Sequence, residues 1–220
     1  MSELIAAGRD ADVYVEGAGR VRRRYRDGRD ASGEAAVMRW LDGAGFPVPT
    51  VYAVDGPDLV MARVEGPTLA ESLLSDQVPP AEAGLLLAHL HDRLHALGPP
   101  QGDLPMGHLD LHPLNVLMSP DGPVVIDWSN ARPVEPAFDV AVSVVILACT
   151  AVVLPPELAG VEAATLRGKV ATLLSAFLDA VSDDPADGLA EALAWRGRDP
   201  NLSDEERAGL PKALAWAQAL

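Results

Sequence analysis

Two short apolar runs around a tight-turn signal, with polar residues at set offsets on either side, constrain this chain more than any other stretch. Residues 108–128 read His108-Leu109-Asp110-Leu111-His112-Pro113-Leu114-Asn115, then Val116-Leu117-Met118, a Ser119-Pro120-Asp121-Gly122 turn, and Val124-Val125-Ile126-Asp127-Trp128. Apolar and β-branched runs flanking Pro-Asp-Gly predict a β-hairpin. A hairpin carries Asn115, just before its first strand, back beside Asp127 at the end of its second. Two oxygen ligands then converge on one hard cation such as Mg²⁺. Asp110 lies one loop away, where it can accept the proton of a hydroxyl attacking a phosphate. A merely solvated loop does not explain why Asn115, one of three Asn in the chain, falls at this spacing.

A second reading of the same stretch is a transition-metal site. His108, Asp110 and His112 alternate, so on a strand they share one face. Pro113 works against a regular strand there, and no further His/Cys pair at ligand spacing follows. His91 and His95 form an i, i+4 pair elsewhere, read as helix-face histidines rather than zinc ligands.

The chain has 220 residues, a length for one large domain or two small lobes, and 49% hydrophobic residues, which excludes global disorder. Its one cysteine, Cys149, lies in an apolar run and is expected to be buried and inert. The longest uncharged apolar run, Val140 to Leu154, is 15 residues, too short to span a bilayer comfortably, and reads as a buried core helix. Met1-Ser2-Glu3-Leu4-Ile5 lacks the features of a signal peptide, so a cytoplasmic location and no membrane partner are expected. The net charge of −15 disfavours nucleic acid as a partner. It is unevenly spread: residues 1–66 carry 9 Arg against 11 Asp/Glu, and residues 67–220 carry 8 Lys/Arg against 21 Asp/Glu. A nearly neutral first part suits an anionic nucleotide, and an acidic second part suits a cationic substrate.

The first sixty-odd residues read mainly as β. Leu4–Ala6, Val13–Val15, Val21–Tyr25, Val51–Val54 and Leu59–Val64 are strand candidates separated by Gly- and Asp-containing turns, the first around Gly8-Arg9-Asp10. One helix, from Ser32 as N-cap to Asp42, interrupts them, and Glu65-Gly66-Pro67 reads as a linker. Beyond it, helices are expected near 81–97, 137–153, 157–181, 187–196 and 203–219, punctuated by Pro155-Pro156, Asp184-Pro185 and Asp199-Pro200. The expectation is an α+β chain with two parts. Residues 1–66 form a small antiparallel-β lobe with one helix, and residues 67–220 form a larger helical lobe containing the hairpin.

These residues together resemble the aminoglycoside phosphotransferase family, relatives of choline kinases with a bilobal protein-kinase-like fold. His108-Leu109-Asp110-Leu111-His112-Pro113-Leu114-Asn115 resembles that family's H-G-D-L-H-P-x-N, and Ile126-Asp127-Trp128 its I-D-W or I-D-F. The resemblance implies transfer of the γ-phosphoryl group of ATP or GTP to a hydroxyl, with Mg²⁺ as cofactor. It implies Asp110 as catalytic base, His108 as support of the catalytic loop, and Asn115 and Asp127 as metal ligands. Ser32 to Leu41 resembles the family's r-E-a-x-v-l-x-x-L helix, so Glu34 pairs with the phosphate-gripping cation. Leu59 to Gly66 resembles its l-v-m-e-x-l-x-G hinge, so Met61, Ala62 and Val64 meet the nucleotide base. Phe138-Asp139-Val140-Ala141 resembles its y-D-l-A, with Asp139 as a cap or structural ligand of the catalytic loop.

The chain departs from that pattern at the phosphate grip. The family's cation is a Lys, and residues 1–66 contain none. Arg23 takes the place: it lies two residues after Val21, so both share a strand face, with Val21 covering the base. Arg forks bidentately to carboxylate or phosphate and stays protonated. Arg22 and Arg24 then point the other way. Leu109 and Leu114 stand where the family often has Gly, and the chain is short for the family. The acceptor implied is small, cationic and hydroxyl-bearing: an aminoglycoside-like antibiotic, whose phosphorylation means resistance, or an amino alcohol or sugar. Asp183, Asp184, Asp187, Asp204, Glu205 and Glu206 are the carboxylates expected to hold its amines. The alternative is an inactive nucleotide-binding module.

Overall fold

Alternation in Arg20-Val21-Arg22-Arg23-Arg24-Tyr25 fixes the faces of the sheet. In a computed structural model, which describes residues 3–8, 10–98, 102–153, 161–200 and 202–219, Val21, Arg23 and Tyr25 are buried while Arg20 and Arg24 are exposed. This strand, β3 (Arg20–Tyr25), is the centre of a five-stranded antiparallel sheet with β1 (Leu4–Ala7), β2 (Ala11–Val15), β4 (Val51–Asp55) and β5 (Asp58–Ala62). The order is β1-β2-β3-β5-β4, and the register places Val21 opposite Met61 and Arg23 opposite Leu59. Arg22 and Arg24 turn to the other face and share Asp58, whose carboxylate Arg24 forks at 2.7 and 2.5 Å.

The chain divides into two compact units. The first comprises Met1–Pro67 with Val116–Ala131; the second comprises Thr68–Asn115 with Arg132–Leu220. The hairpin read from the sequence as part of the helical lobe thus clusters with the sheet. Its strands are β7 (Val116–Ser119) and β8 (Gly122–Val125), with Val116 opposite Val125 and Ser119 opposite Gly122. What ties it there is the linker: Met118 N donates to Pro67 O at 2.8 Å, and a Cβ at Gly66 would lie 2.2 Å from Met118 O. Gly66 also sits at φ +140, so this close approach admits only glycine. Among the described residues the unit's one helix, α1 (Ser32–Gly43), buries Glu34, Ala35, Met38 and Leu41. Its N-cap is Ala31 rather than Ser32: Ala35 N donates to Ala31 O at 2.9 Å, so Ser32 is already helical, and Asp30 Oδ1 accepts the Ser32 N–H at 2.6 Å. Trp128 is buried edge-on against Phe46 and donates Nε1–H to Val125 O.

The second unit is built around α4 (Pro136–Val152), twelve of whose seventeen residues are buried. That is the apolar run read as a core helix; residues 154–160, including the expected Pro155-Pro156 break, lie outside the described residues, as does Arg9 of the first turn. Around α4 pack α5 (Ala163–Ala180), α6 (Leu189–Gly197) and α7 (Asp204–Ala217). The fourth neighbour of this core, α3 (Pro80–His95), meets α5 so closely at Gly84 that a Cβ would lie 2.2 Å from Leu173 O. A short α2 (Leu69–Leu74) is closed by a Thr68/Glu71 capping box. The Thr-x-x-Glu signal was present in the sequence. Strands β6 (Met106–Gly107) and β9 (Arg132–Pro133) pair where the loop carrying Asp110 leaves and α4 begins. Among the described residues no helix is long and apolar enough to cross a membrane. Cys149 is half-buried, and burial pushes its thiol up to about 11.

Candidate active site

In the first unit, β3 alternation, α1 and the end of β8 deliver one ionic cluster. Arg23 Nη1 donates to Glu34 Oε1 at 2.6 Å and Nη2 to Asp127 Oδ1 at 2.7 Å. Tyr25 OH reaches Glu34 Oε2 at 2.5 Å, Trp128 N donates to Glu34 Oε1 at 3.2 Å, and Ser129 Oγ donates to Asp127 Oδ1 at 2.8 Å. The Arg23 and Glu34 side chains are 7% and 3% exposed, whereas Asp127 is 37% exposed and so is the end that meets solvent. Burial works against the Arg23 charge, but Asp127 and Glu34 outweigh it and raise its pKa, so the guanidinium is permanently cationic. Burial pushes the Glu34 carboxyl up against the opposing pull of Arg23 and Tyr25. Asp127 holds a left-handed backbone, φ +64, unusual for a non-glycine residue and typical of functional loops. At the end of β5, Ala62 N and Arg63 N donate to Thr50 O and Gly19 O, while Val21 and Met61 face each other across the strands.

In the second unit, the loop from β6 into a 3-10 turn at Pro113–Asn115 presents Asp110. Asn115 N bonds His112 O at 2.8 Å, and its Nδ2 donates to Asp110 O at 2.8 Å and Asp110 Oδ2 at 3.1 Å. With the amide nitrogen committed to Asp110, the amide oxygen is the ligand atom Asn115 can offer. His112 Nε2 lies 3.6 Å and Arg196 Nη1 3.9 Å from Asp110 Oδ1. Burial pushes the Asp110 carboxyl up, but His112, His108 and Arg196 outweigh it and hold it below its ordinary value. His108 is fully buried beneath the loop.

The loop is pinned from behind by a buried polar spine. Asp139, on the first turn of α4, accepts Leu109 N at 2.7 Å on Oδ1, holding Leu109 at φ +60. Its Oδ2 faces His95 Nε2 at 3.0 Å and His91 Nδ1 at 3.3 Å. His95 Nδ1 turns to Asp183 at 3.0 Å, and His91 Nε2 to Ser143 Oγ at 3.0 Å. Ser143 donates its own proton to Leu111 O at 2.7 Å, so it accepts from His91. Two carboxylates on one imidazole raise the His95 pKa against the effect of burial. Burial alone would push the Asp139 carboxyl up, yet His91 and His95 hold it well below the ordinary range. Among the described residues, the one group of three metal-type ligands drawn together is His91, His95 and Asp139, not the alternating His108, Asp110 and His112.

The six acidic residues expected to hold an acceptor lie apart from this loop in the sequence, and several have local partners. Asp183 bonds His95, Asp184 Oδ1 accepts Ala186 N at 2.9 Å, and Glu206 caps α7 by accepting Ser203 N at 2.8 Å. Asp187 sits in a 3-10 turn, and Asp204 and Glu205 in the first turn of α7. Two residues of this neighbourhood were not foreseen as site residues. Arg196 comes from the last turn of α6 and Asp199 from just beyond it, and no short-range spacing links them to Asp110. The Asp139 spine was legible only through the resemblance.

An α+β chain with an antiparallel sheet unit and a helical unit has the architecture of a kinase-like phosphotransferase. The chain belongs to the phosphotransferase enzyme family, whose sequence profile matches residues 3–107 and 72–173. No curated protein matches it by sequence. Among solved structures it is similar to a thermostable mutant of the aminoglycoside phosphotransferase APH(4)-Ia with AMP-PNP and hygromycin B, at 16% identity and TM-score 0.59, covering 99% of this chain and 90% of that one. ADP-bound APH(2'')-Ib is similar at 13% identity and TM-score 0.58, covering 99% and 91%. A choline/ethanolamine kinase family protein from Mesorhizobium loti is similar at 16% identity and TM-score 0.57, covering 100% and 87%. At these identities the likeness is one of fold.

Proposed function

We propose that this chain is a small-molecule kinase that transfers the γ-phosphoryl group of ATP or GTP to a hydroxyl, with Asp110 as the base. The observation that carries this reading is the geometry of Asp110: its carboxylate accepts Asn115 Nδ2–H at 3.1 Å, on a loop that Asp139 anchors through Leu109 N at 2.7 Å. An acceptor hydroxyl donates its proton to Asp110 as its oxygen bonds the γ-phosphorus and the bridge to the β-phosphate breaks. Positioning and electrostatics supply most of the acceleration in such a transfer.

Arg23 is the phosphate grip in this reading, with Glu34 fixing its guanidinium. Val21, Met61, Ala62 and Val64 are the base-contacting positions. His108 fills the space under the loop. The Asn115 amide oxygen and the Asp127 carboxylate are each hard oxygen donors of the kind Mg²⁺ takes. Mg²⁺ held by such donors would offset charge on the phosphates. Arg23 already holds Asp127 Oδ1, which sets that carboxylate in place.

The acceptor is cationic on the strength of the acidic second part of the chain, 21 Asp/Glu against 8 Lys/Arg in residues 67–220. Structures similar to this one carry aminoglycosides or belong to choline/ethanolamine kinases, and both acceptor classes pair amines with hydroxyls. The six carboxylates from Asp183 to Glu206 remain the amine-binding candidates, and phosphorylation of an antibiotic would confer resistance. Incubation with γ-labelled ATP or GTP, Mg²⁺ and a panel of aminocyclitols, amino sugars and amino alcohols tests the reading. Labelled product from the wild type, reduced about 10²–10⁴-fold in Asp110→Ala, supports it. Nucleotide binding without transfer to any acceptor supports the inactive module instead.

A further inference from the structure

We propose that Arg196 is a further catalytic residue, placed to contact the oxygens of the phosphoryl group as it passes to the hydroxyl held by Asp110. The inference rests on the reading of Asp110 as the base. Its starting point is a cation where a base alone does not call for one. Arg196 Nη1 is 3.9 Å from Asp110 Oδ1, too far for a hydrogen bond and near enough for both groups to reach a common ligand. The guanidinium is steadied by Asp199 Oδ2 at 3.0 Å, one turn further along. Its Nε–H is buried without a protein acceptor.

The placement is rigid. Leu109, the residue before Asp110, belongs to the same hydrophobic cluster as Ala192 of α6, and Leu189, Leu193 and Trp195 pack against that cluster. Trp195 is also covered by the Arg132 guanidinium, 4.4 Å from its ring centre. The core that sets Asp110 therefore sets Arg196 as well.

A permanent cation beside a general base weakens the base, and Asp199 already satisfies Arg196 as a structural ion pair. The arrangement has a chemical use if negative charge gathers next to Asp110. In phosphoryl transfer it does: the entering hydroxyl gives its proton to Asp110, the new O–P bond forms, the bond to the leaving nucleoside diphosphate breaks, and charge spreads over the three equatorial oxygens. Base strength then matters little and a fixed cation matters much. The other arginine assigned to phosphate, Arg23, has both Nη groups engaged by Glu34 and Asp127.

The test is steady-state kinetics and ligand binding on Arg196→Ala, Arg196→Gln and Arg196→Lys in the full chain. The expected result is a kcat about 10²–10³-fold lower in the Ala and Gln variants with the nucleotide KM within about threefold. Arg196→Lys is expected to retain part of the rate, and added guanidinium ion to restore part of it to Arg196→Ala. Affinity for Mg·ADP with aluminium fluoride, a mimic of the transferring group, should fall at least about tenfold more than affinity for Mg·ADP. A kcat within twofold of wild type overturns the proposal. So does a lost kcat with no guanidinium rescue and equal losses for ADP and the fluoride complex, since that pattern marks a structural role. If Arg196→Ala does not fold, Arg196→Gln and Arg196→Lys decide on the same readouts. A wild type that transfers phosphate to no acceptor, water included, removes the Asp110 reading and this proposal together; that failure is read without any variant.

Discussion

At the residue scale, the account turns on charges held in place by specific neighbours. In the proposed reaction Asp110 acts when ionised, and His112, His108 and Arg196 lower its pKa. The acid limb of a kcat–pH profile is therefore expected below the ordinary carboxylate range, with activity lost only as pH falls through that lowered value. In Arg196→Ala the limb should move to higher pH; an unmoved limb contradicts the contact. Arg23 makes a different kind of prediction because it is buried between two carboxylates. Arg23→Ala leaves Glu34 buried without its cation and is expected to lower stability by about 3 kcal/mol in a urea titration, besides weakening nucleotide binding. Arg23 was legible because strand alternation selects it over Arg22 and Arg24, and a register slip of one residue would have exchanged their faces. Arg196 was not legible: its relation to Asp110 exists only once α6 has packed on α4.

At the element scale, the Asp139 spine couples α3 and α4 to the Asp110 loop. Asp139→Asn removes the charge that faces His91 and His95 and weakens the hold on Leu109 N. It is expected to cost about 3 kcal/mol of stability and to slow transfer, with melting and rate measured on the same preparation. The pH dependence has a definite sign. Asp139 has a folded pKa below its unfolded one, so its contribution is present above the unfolded carboxylate value and is lost as pH falls through the folded one. His95 has a folded pKa above its unfolded one, so its contribution is complete below the imidazole value of about 6.5 and is lost as pH rises through the folded value. The pair therefore stabilises most in mildly acidic solution. Between pH 5.5 and 8.5 the wild type should lose more Tm than His95→Gln; equal losses would sink this account of His95.

The elements themselves were read unevenly, for physical reasons. Strands with strict alternation and the long apolar α4 announced themselves, since their periodicity or hydrophobicity is a property of contiguous residues. Helix α2 did not, because six residues between two turns show too little period, even with its capping box. The N-cap of α1 falls one residue early because the first helical bond runs from Ala35 N to Ala31 O, with Asp30 accepting the amide of Ser32, the first helical residue.

At the scale of the whole molecule, the family and fold follow from one hairpin and the residues beside it. The same hairpin that predicts ligand residues from its ends belongs, by its contacts with Gly66 and Pro67, to the sheet unit rather than to the helices that follow it in sequence. Sequence order and spatial grouping diverge here because an antiparallel pair closes locally and then packs where a glycine lets it approach. The acidic composition of the second part shows net attraction for cations but not where they bind, since Asp183, Asp184 and Glu206 also serve histidine, turn and cap. The central claim is that this chain carries a phosphoryl group to a hydroxyl by way of Asp110. Its most direct measurement is single-turnover transfer from γ-labelled nucleotide, in Mg²⁺, by the wild type and Asp110→Asn at equal nucleotide occupancy. The account predicts labelled acceptor from the wild type and a rate at least about 10²-fold lower in the variant. Equal transfer by both proteins would contradict it.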